Sequence, residues 1–296
     1  MTVGGYPPAL HFLSDLGIEA HVGPGPVATA RIRVTPHMTG RDGGVRAGVL
    51  ATLVDVVGGA VAARVLRPDW MATADLTLEV VRPATGPFVE ARATVVRRGR
   101  TTLVTEAGVF NVLDEGSEVT IGAEDHGPVA WATMTFAVLP GQSPTSTLDG
   151  HQELPDRWAL AGEGLDRPVV EALSISVVDA AEGRISMPVQ DYLFNSFGAV
   201  QGGVMALLGE VAGAEVLGES AGAEGDFVAT DLRVAYLALG RVGPIVSRSR
   251  VLAAQDGHPH RSAVVELFDA AAGDRLTTVI DVGAVRVAAA ATGAGS

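Results

Sequence analysis

The sequence predicts an α+β protein made of two copies of one unit, each a curved antiparallel sheet wrapped around a long apolar helix. Three observations carry this. First, two apolar stretches share a register: Gly48-Val-Leu-Ala-Thr-Leu-Val-Asp55 and Gly203-Val-Met-Ala-Leu-Leu-Gly-Glu210, with both the glycines and the acids 155 positions apart (203 − 48, 210 − 55). Second, each is followed by a strand-like run, Thr73 to Val81 and Ala229 to Leu237. Third, each run leads into alternating segments around a Gly-containing turn, at an offset of 158 (257 − 99 for the glycines, 268 − 110 for the phenylalanines). Repetition at a near-constant interval marks a duplicated structural unit.

Taken in order, Pro8 to Leu16 predicts a short amphipathic helix, and Val27 to Pro36 an extended segment. The stretch Ala47 to Leu66 is apolar on every side, so every side needs cover. Phe88 to Arg97 pairs with Thr101 to Val112 across Arg98-Gly99-Arg100 as a β-hairpin, and Trp131 to Leu139 closes the first half. In the second half, Arg184 to Val189 precedes the helix, Ile245 to Ala254 pairs with Arg261 to Ala270, and Arg275 to Val287 is the closing strand. The stretch from Pro140 to Pro155, rich in Pro, Gly, Ser and Thr, joins the halves, and Leu113 to Pro128 reads as a surface insertion. The expected organisation is therefore residues 1–140, a linker over 141–164, residues 165–287, and a disordered tail over 288–296.

Composition narrows the function. The chain has 296 residues, 47% hydrophobic, with a formal net charge of −13. All 21 basic residues are Arg. A general nucleic-acid partner needs a basic field and is excluded, whereas an anionic small ligand is compatible with clustered Arg. With no Cys there is neither disulfide, thiolate metal site nor Cys nucleophile. Ala47 to Leu66 has the length of a membrane span, but Asp55 at its centre costs about 2.5–3.5 kcal/mol on insertion scales, so a core helix and a cytoplasmic protein are expected. No His pair has helical metal-site spacing, so neither a metal nor another cofactor is expected. His11, His21, His37 and His151 read as surface or loop residues. There is no Gly-x-Ser-x-Gly elbow and no P-loop.

A lone carboxylate in an apolar helix is costly unless it is used or partnered. Two readings of Asp55 and Glu210 stay open on this ground: functional acids, or structural acids that bridge the helices. The residues around them settle on a pattern, Asn195-x5-Gln201-Gly202-Gly203-x6-Glu210, with Asp55 followed eighteen positions later by Thr73. This resembles the hotdog-fold acyl-CoA thioesterases of the phenylacetyl-CoA thioesterase-like superfamily, whose pattern is Asn-x5-His-Gly-Gly-x6-acid with Ser or Thr eighteen positions after the acid. The resemblance implies a tandem double hotdog in which each site takes its loop from one unit and its acid from the other.

On that resemblance, the competent site combines Asn195, Gln201 and Gly202 with Asp55 and Thr73. Asp55 is the expected general base or nucleophile, Thr73 orients water, and Gly202 at a helix start supplies an oxyanion-binding N–H. Gln201 stands where relatives carry His. The other combination, Gly40, Arg46 and Ala47 with Glu210 and Ala229, departs at most positions and reads as a degenerate site, in which Arg46 is either structural or the partner of Glu210. The resemblance also implies phosphate contacts for coenzyme A at the hairpin tips, which points to Arg97, Arg98, Arg100 and His258. With only 5% aromatic residues, an aliphatic acyl pocket for medium or long chains is expected.

The implied activity is hydrolysis of acyl-CoA to acid and CoA, in a homo-oligomer such as a dimer or trimer of double hotdogs. Two alternatives remain at this point. One is an acyl-CoA-binding or scaffold protein that has lost turnover with the loop His. The other is an enoyl-CoA hydratase or acyl dehydratase, disfavoured because neither central helix contains His.

Overall fold

The computed structural model describes residues 6–8, 10–114, 127–140, 155–221, 226–253 and 258–287. Each half has one 20-residue helix, α2 (Ala47–Leu66) and α4 (Gly202–Ala221), against its own antiparallel strands. The first unit contributes α1 (Phe12–Asp15), β1 (Glu19–Val22), β2 (Val27–Arg33), β3 (Trp70–Val80), β4 (Phe88–Arg98), β5 (Thr102–Val112) and β6 (Ala130–Leu139). After the connection come β7 (Arg157–Ala159), α3 (Val169–Ala172), β8 (Ser176–Asp179), β9 (Arg184–Met187), β10 (Asp226–Tyr236), β11 (Ile245–Ala253), β12 (His260–Asp269) and β13 (Arg275–Val287).

Among the described residues the strands form one 13-stranded sheet in the order β7-β1-β2-β4-β5-β6-β3-β10-β13-β12-β11-β9-β8. The seam between the units is β3 against β10. Thr77 lies opposite Arg233, Asp75 opposite Ala235 and Glu79 opposite Asp231. Equivalent residues are therefore 156 apart there (231 − 75, 235 − 79), and a pseudo-two-fold axis passes through the Thr77–Arg233 pair. Both strands carry a bulge at the same point, between Thr73 and Asp75 and between Ala229 and Asp231. Thr73 and Ala229 are thus structural equivalents. This is the tandem double hotdog that the resemblance implies, built on the duplication that the repeat predicts.

The helices are apolar all round because they are covered all round. α2 packs on β2 to β6 and on α4, and α4 packs on β9 to β13. Although α2 is long and apolar enough to cross a bilayer, 13 of its residues are buried inside this wrapping. The two helices touch each other at reciprocal points. A Cβ on Gly48 would stand 2.3 Å from Leu207 Cα, and one on Gly203 would stand 2.4 Å from Thr52 Cα. Only glycine allows backbones this close. This contact brings the start of each helix beside the second turn of the other, and so brings each acid toward the opposite unit.

Some expected bounds shift. α1 begins at Phe12 because His11 caps it, its Nδ1 accepting the Leu13 N–H at 3.1 Å. Residues 141–154, most of the expected linker, and the tail 288–296 lie outside the described residues, as does most of the insertion after Leu113. The end of the linker region is not plain connection: β7 pairs with the outer edge of β1, Trp158 opposite Ala20.

The crossing generates a prediction. Gly48→Ala and Gly203→Ala should each lower unfolding free energy by about 2–3 kcal/mol in urea titrations, the cost of overpacking a rigid contact. Gly59→Ala, whose Cβ would meet only the Met71 methyl at 4.0 Å, should be neutral or slightly stabilising in the same assay.

Candidate active site

Asp55 lies in the third turn of α2, on the side facing the second unit. Its Oδ1 accepts the Thr73 hydroxyl at 2.7 Å. Helix and strand geometry makes this pair: the helix ends, the chain turns at Pro68, and β3 returns antiparallel beneath it, so eighteen residues close one hydrogen bond. The other carboxylate oxygen, Oδ2, is 3.0 Å from the position a Gly202 Cβ would occupy. The acid of the first unit and the helix start of the second are therefore in van der Waals contact.

These groups open into a cavity of about 330 Å³ whose wall includes Asp55, Thr73, Asn195, Gln201 and Gly202. All five residues expected at the competent site are thus brought together, from both units. Much of the remaining wall is apolar. Burial lifts the Asp55 carboxyl from 3.8 to about 6, and the Thr73 hydrogen bond opposes this less strongly. The partial exposure of Asp55 is toward the cavity.

The loop before α4 is shaped by Asn195. Its Oδ1 accepts the N–H groups of Phe197 at 2.9 Å and Ala199 at 3.2 Å, an Asx-type turn closed by the Phe194–Val200 bridge. The side-chain NH₂ is the part left to serve the cavity. Gln201, 8% exposed, donates from Nε2 to the Tyr6 hydroxyl and more weakly to the Phe194 carbonyl at 3.5 Å. It thus ties the loop to the amino-terminal segment.

That segment was not legible as part of a site. Tyr6 lines the cavity and donates its hydroxyl to the Phe194 carbonyl at 3.1 Å. His11, read from sequence as a surface or loop residue, is fully buried, and its Nε2 donates to the same carbonyl at 2.7 Å. The ring accepts at Nδ1 and donates at Nε2, which is the neutral tautomer; burial accordingly lowers its pKa. Tyr236, from the end of β10, also lines the cavity, its hydroxyl donating to the Gly202 carbonyl at 2.9 Å. Trp158 and Leu160, beyond the expected unit boundary, complete one wall.

The pseudo-equivalent acid is treated differently. Glu210, 4% exposed, accepts the Gly48 N–H at 2.8 Å and pairs with Arg46 Nε at 3.3 Å. Of the two roles open to Arg46, it takes that of partner. Gly40, Arg46 and Glu210 border a second cavity of about 430 Å³. Its walls replace small and aromatic residues with charge: Ala60 corresponds to Glu215 and Trp70 to Asp226, and Asp226 is bound by Arg41. Ala47 opens α2, while Ala229, at the position of Thr73, brings no hydroxyl.

The hairpin cations stand apart from the cavity. Arg97, Arg98 and Arg100 are exposed at the hairpin, and none of them lines the cavity; Arg98 instead donates to the Val65 carbonyl at 2.8 Å. His258 is exposed in the other hairpin, bonded through Nδ1 to His260. A hairpin tip projects past the sheet, which keeps these cations in solvent. The arginine that reaches the cavity wall is Arg67, at the end of α2. Nor are the walls purely aliphatic. Six of the fourteen aromatic residues (three Trp, three Tyr, eight Phe) line this one cavity: Tyr6, Trp70, Phe136, Trp158, Phe197 and Tyr236. A low total concealed their concentration. Among the described residues no cluster of three or more His, Asp or Glu side chains is arranged to hold a metal ion.

Residues 43–116, which carry α2, Asp55 and Thr73, match the family model described as Thioesterase superfamily. The match lies within the amino-terminal hotdog unit. A Halobacterium salinarum protein, provisionally named as an esterase, is 39% identical over 97 residues, 30% of this chain. The match spans 63% of that relative's length. Across both hotdogs, the chain is similar to the tesB protein of Mycobacterium avium subsp. paratuberculosis (TM-score 0.56, 12% identity, covering 88% of this chain and 93% of that one). It is also similar to a Thermobifida fusca structure assigned as a thioesterase II (TM-score 0.56, 18% identity, covering 95% and 98%). At such identities these two structures establish the double-hotdog fold and no more.

The contrast between the acids predicts opposite stability effects. Burial raises the folded-state pKa of Asp55 above its ordinary value, so its contribution to stability is full below about 4 and is lost as pH rises through about 6. Asp55→Asn should therefore stabilise the protein at pH 8, by up to roughly 3 kcal/mol, and have little effect at pH 4. Glu210→Gln strands Arg46 and should destabilise by about 1–3 kcal/mol at pH 8. Chemical denaturation at the two pH values reads both.

Proposed function

We propose that the protein is an acyl-CoA thioesterase with one working composite site per chain, built on Asp55. The observation that carries this reading is a partly buried carboxylate with a hydroxyl partner and, among the described residues, no ion-pair partner, beside a helix start and open to a largely apolar cavity. The thioesterase-superfamily match over residues 43–116 gives it independent support.

Hydrolysis of a thioester places negative charge on the carbonyl oxygen in the tetrahedral intermediate. The first N–H groups of α4 have no intrahelical acceptor, and the helix dipole adds to their field there. A thioester carbonyl seated at Gly202 would meet those donors, with the Asp55 carboxylate beside the same residue, its Oδ2 3.0 Å from the position of a Gly202 Cβ. Asp55 then removes a proton from water as water attacks the carbonyl carbon, or attacks directly to form an anhydride that water cleaves. In the first route the carbonyl–sulfur bond breaks and the proton held by Asp55 passes to the departing thiolate, which leaves acid, thiol and a regenerated carboxylate. The Thr73 hydroxyl fixes the rotamer of the acid.

Gln201 bears on the choice between hydrolase and binding protein. Its amide is committed to Tyr6 and the loop, a holding role for which no titratable group is needed. The absence of His at this position is therefore compatible with turnover. In the second cavity the acid is neutralised by Arg46, so it is assigned no hydrolysis. The aromatic walls extend the plausible acyl groups to aryl as well as aliphatic ones. This reading keeps the protein in the cytoplasm with its CoA esters, and a homo-oligomer is its expected assembly.

Thiol release from a panel of aliphatic and aryl acyl-CoA thioesters tests the proposal. Asp55→Asn should reduce kcat/KM by at least about 10³-fold, whereas Glu210→Gln should stay within about threefold of the parent protein when assayed below its melting range. The rate should rise with pH through about 6 as Asp55 ionises, and Thr73→Val should move that midpoint upward by removing the bond that favours the charged form. Binding of the thioesters without thiol release would instead establish the scaffold reading.

A further inference from the structure

The two cavities are pseudo-equivalent, so a comparison of matching positions isolates what the competent one has gained. Asn195 replaces Gly40, Gln201 replaces Arg46, Asp55 stands for Glu210, and Thr73 for Ala229. One further difference has no part in the mechanism above. Tyr236, at the end of β10, corresponds to Val80 at the end of β3 (236 − 80 = 156). The seam register places Ala235 opposite Asp75, so Tyr236 emerges beside the bulge that presents Thr73.

Its hydroxyl donates to the Gly202 carbonyl at 2.9 Å. Its Cζ and Oη are both 3.2 Å from the position of a Gly202 Cβ, and Asp55 Oδ2 is 3.0 Å from the same point. Gly202 is thus held between the acid and the phenol. The carbonyl of Gly202 shares its peptide plane with the N–H of Gly203. The equivalent N–H in the first unit, that of Gly48, is the one that donates to Glu210. By the pseudo-two-fold relation, the peptide gripped by Tyr236 is therefore the counterpart of the one whose donor serves Glu210. Two consecutive glycines begin α4, so no side chain of their own restrains that plane; the crossing contact at Gly203 holds one side of it and the Tyr236 bond the other. Burial near Asp55 raises the phenol well above its ordinary pKa, which keeps the hydroxyl a donor.

We propose that Tyr236 is a positioning residue for thioester hydrolysis: by holding the Gly202 carbonyl it sets the peptide planes at the start of α4, and so the direction of the N–H groups offered to the substrate oxygen. It acts through Gly202 and Gly203, not on the reacting atoms. The proposal rests on the hydrolase reading above.

Tyr236→Phe removes the hydroxyl and keeps the ring. Steady-state kinetics on the best acyl-CoA of the panel, with thermal melting and a pH profile, should show kcat reduced about 10- to 100-fold. KM should stay within about twofold, the melting temperature within a few degrees, and the pH midpoint near that of the parent. Amide hydrogen exchange at Gly203 should quicken. The proposal is overturned if kcat is unchanged, or if kcat, KM and melting temperature fall together as in general destabilisation. Failure of the hydrolase reading looks different: the parent protein releases no thiol, or Asp55→Asn retains activity.

Discussion

The structure depends on one close crossing. α2 and α4 meet at Gly48 against Leu207 and at Gly203 against Thr52, with no room for a Cβ at either glycine. The contact sets the separation and the offset of the two helices at once. It puts Asp55 beside Gly202 and Glu210 beside Gly48. The sheet seam at Thr77 and Arg233 reinforces the same pseudo-two-fold relation from the outside. Two acids are thereby delivered to two helix starts, and everything that differs between the cavities arises from the side chains around that common frame.

Those side chains take the two acids in opposite directions. Glu210 is one methylene longer, reaches the Gly48 N–H, and is matched by Arg46. Its burial is compensated, as expected for a group that stabilises the fold. Asp55 has one hydroxyl and an apolar cavity, so its charge is poorly compensated. A carboxylate held in this state sacrifices some stability and gains basicity near neutral pH, the usual trade at a catalytic position. The walls follow suit: aromatic around Asp55, ionic around Glu210.

Much of this was legible in the sequence because it depends on intervals that secondary structure fixes. The repeat of Gly and acid predicted the paired helices, and the interval from Asp55 to Thr73, through the family resemblance, placed both in one site; that they bond to each other is what the structure adds. The loop from Asn195 to Gly202 was legible as a short pattern with its own turn chemistry. What escaped is what arrives from a distance. Tyr6 and His11 reach Phe194 across more than 180 positions, and Trp158 enters through an edge strand in a segment whose composition reads as linker. Tyr236 sits in a strand with no local mark of function. The hairpin arginines, which the family resemblance assigns to the CoA phosphates, stand in solvent outside the cavity wall.

Asp55 is a weakly compensated acid at the wall of an open cavity. Carbon-detected NMR titration of its carboxyl, with and without a non-hydrolysable acyl-CoA thioether, tests this most directly. A midpoint near 6 in the free protein and a clear displacement of the Asp55 signal when the thioether binds are expected. A midpoint near 4 with no response to the thioether would contradict it.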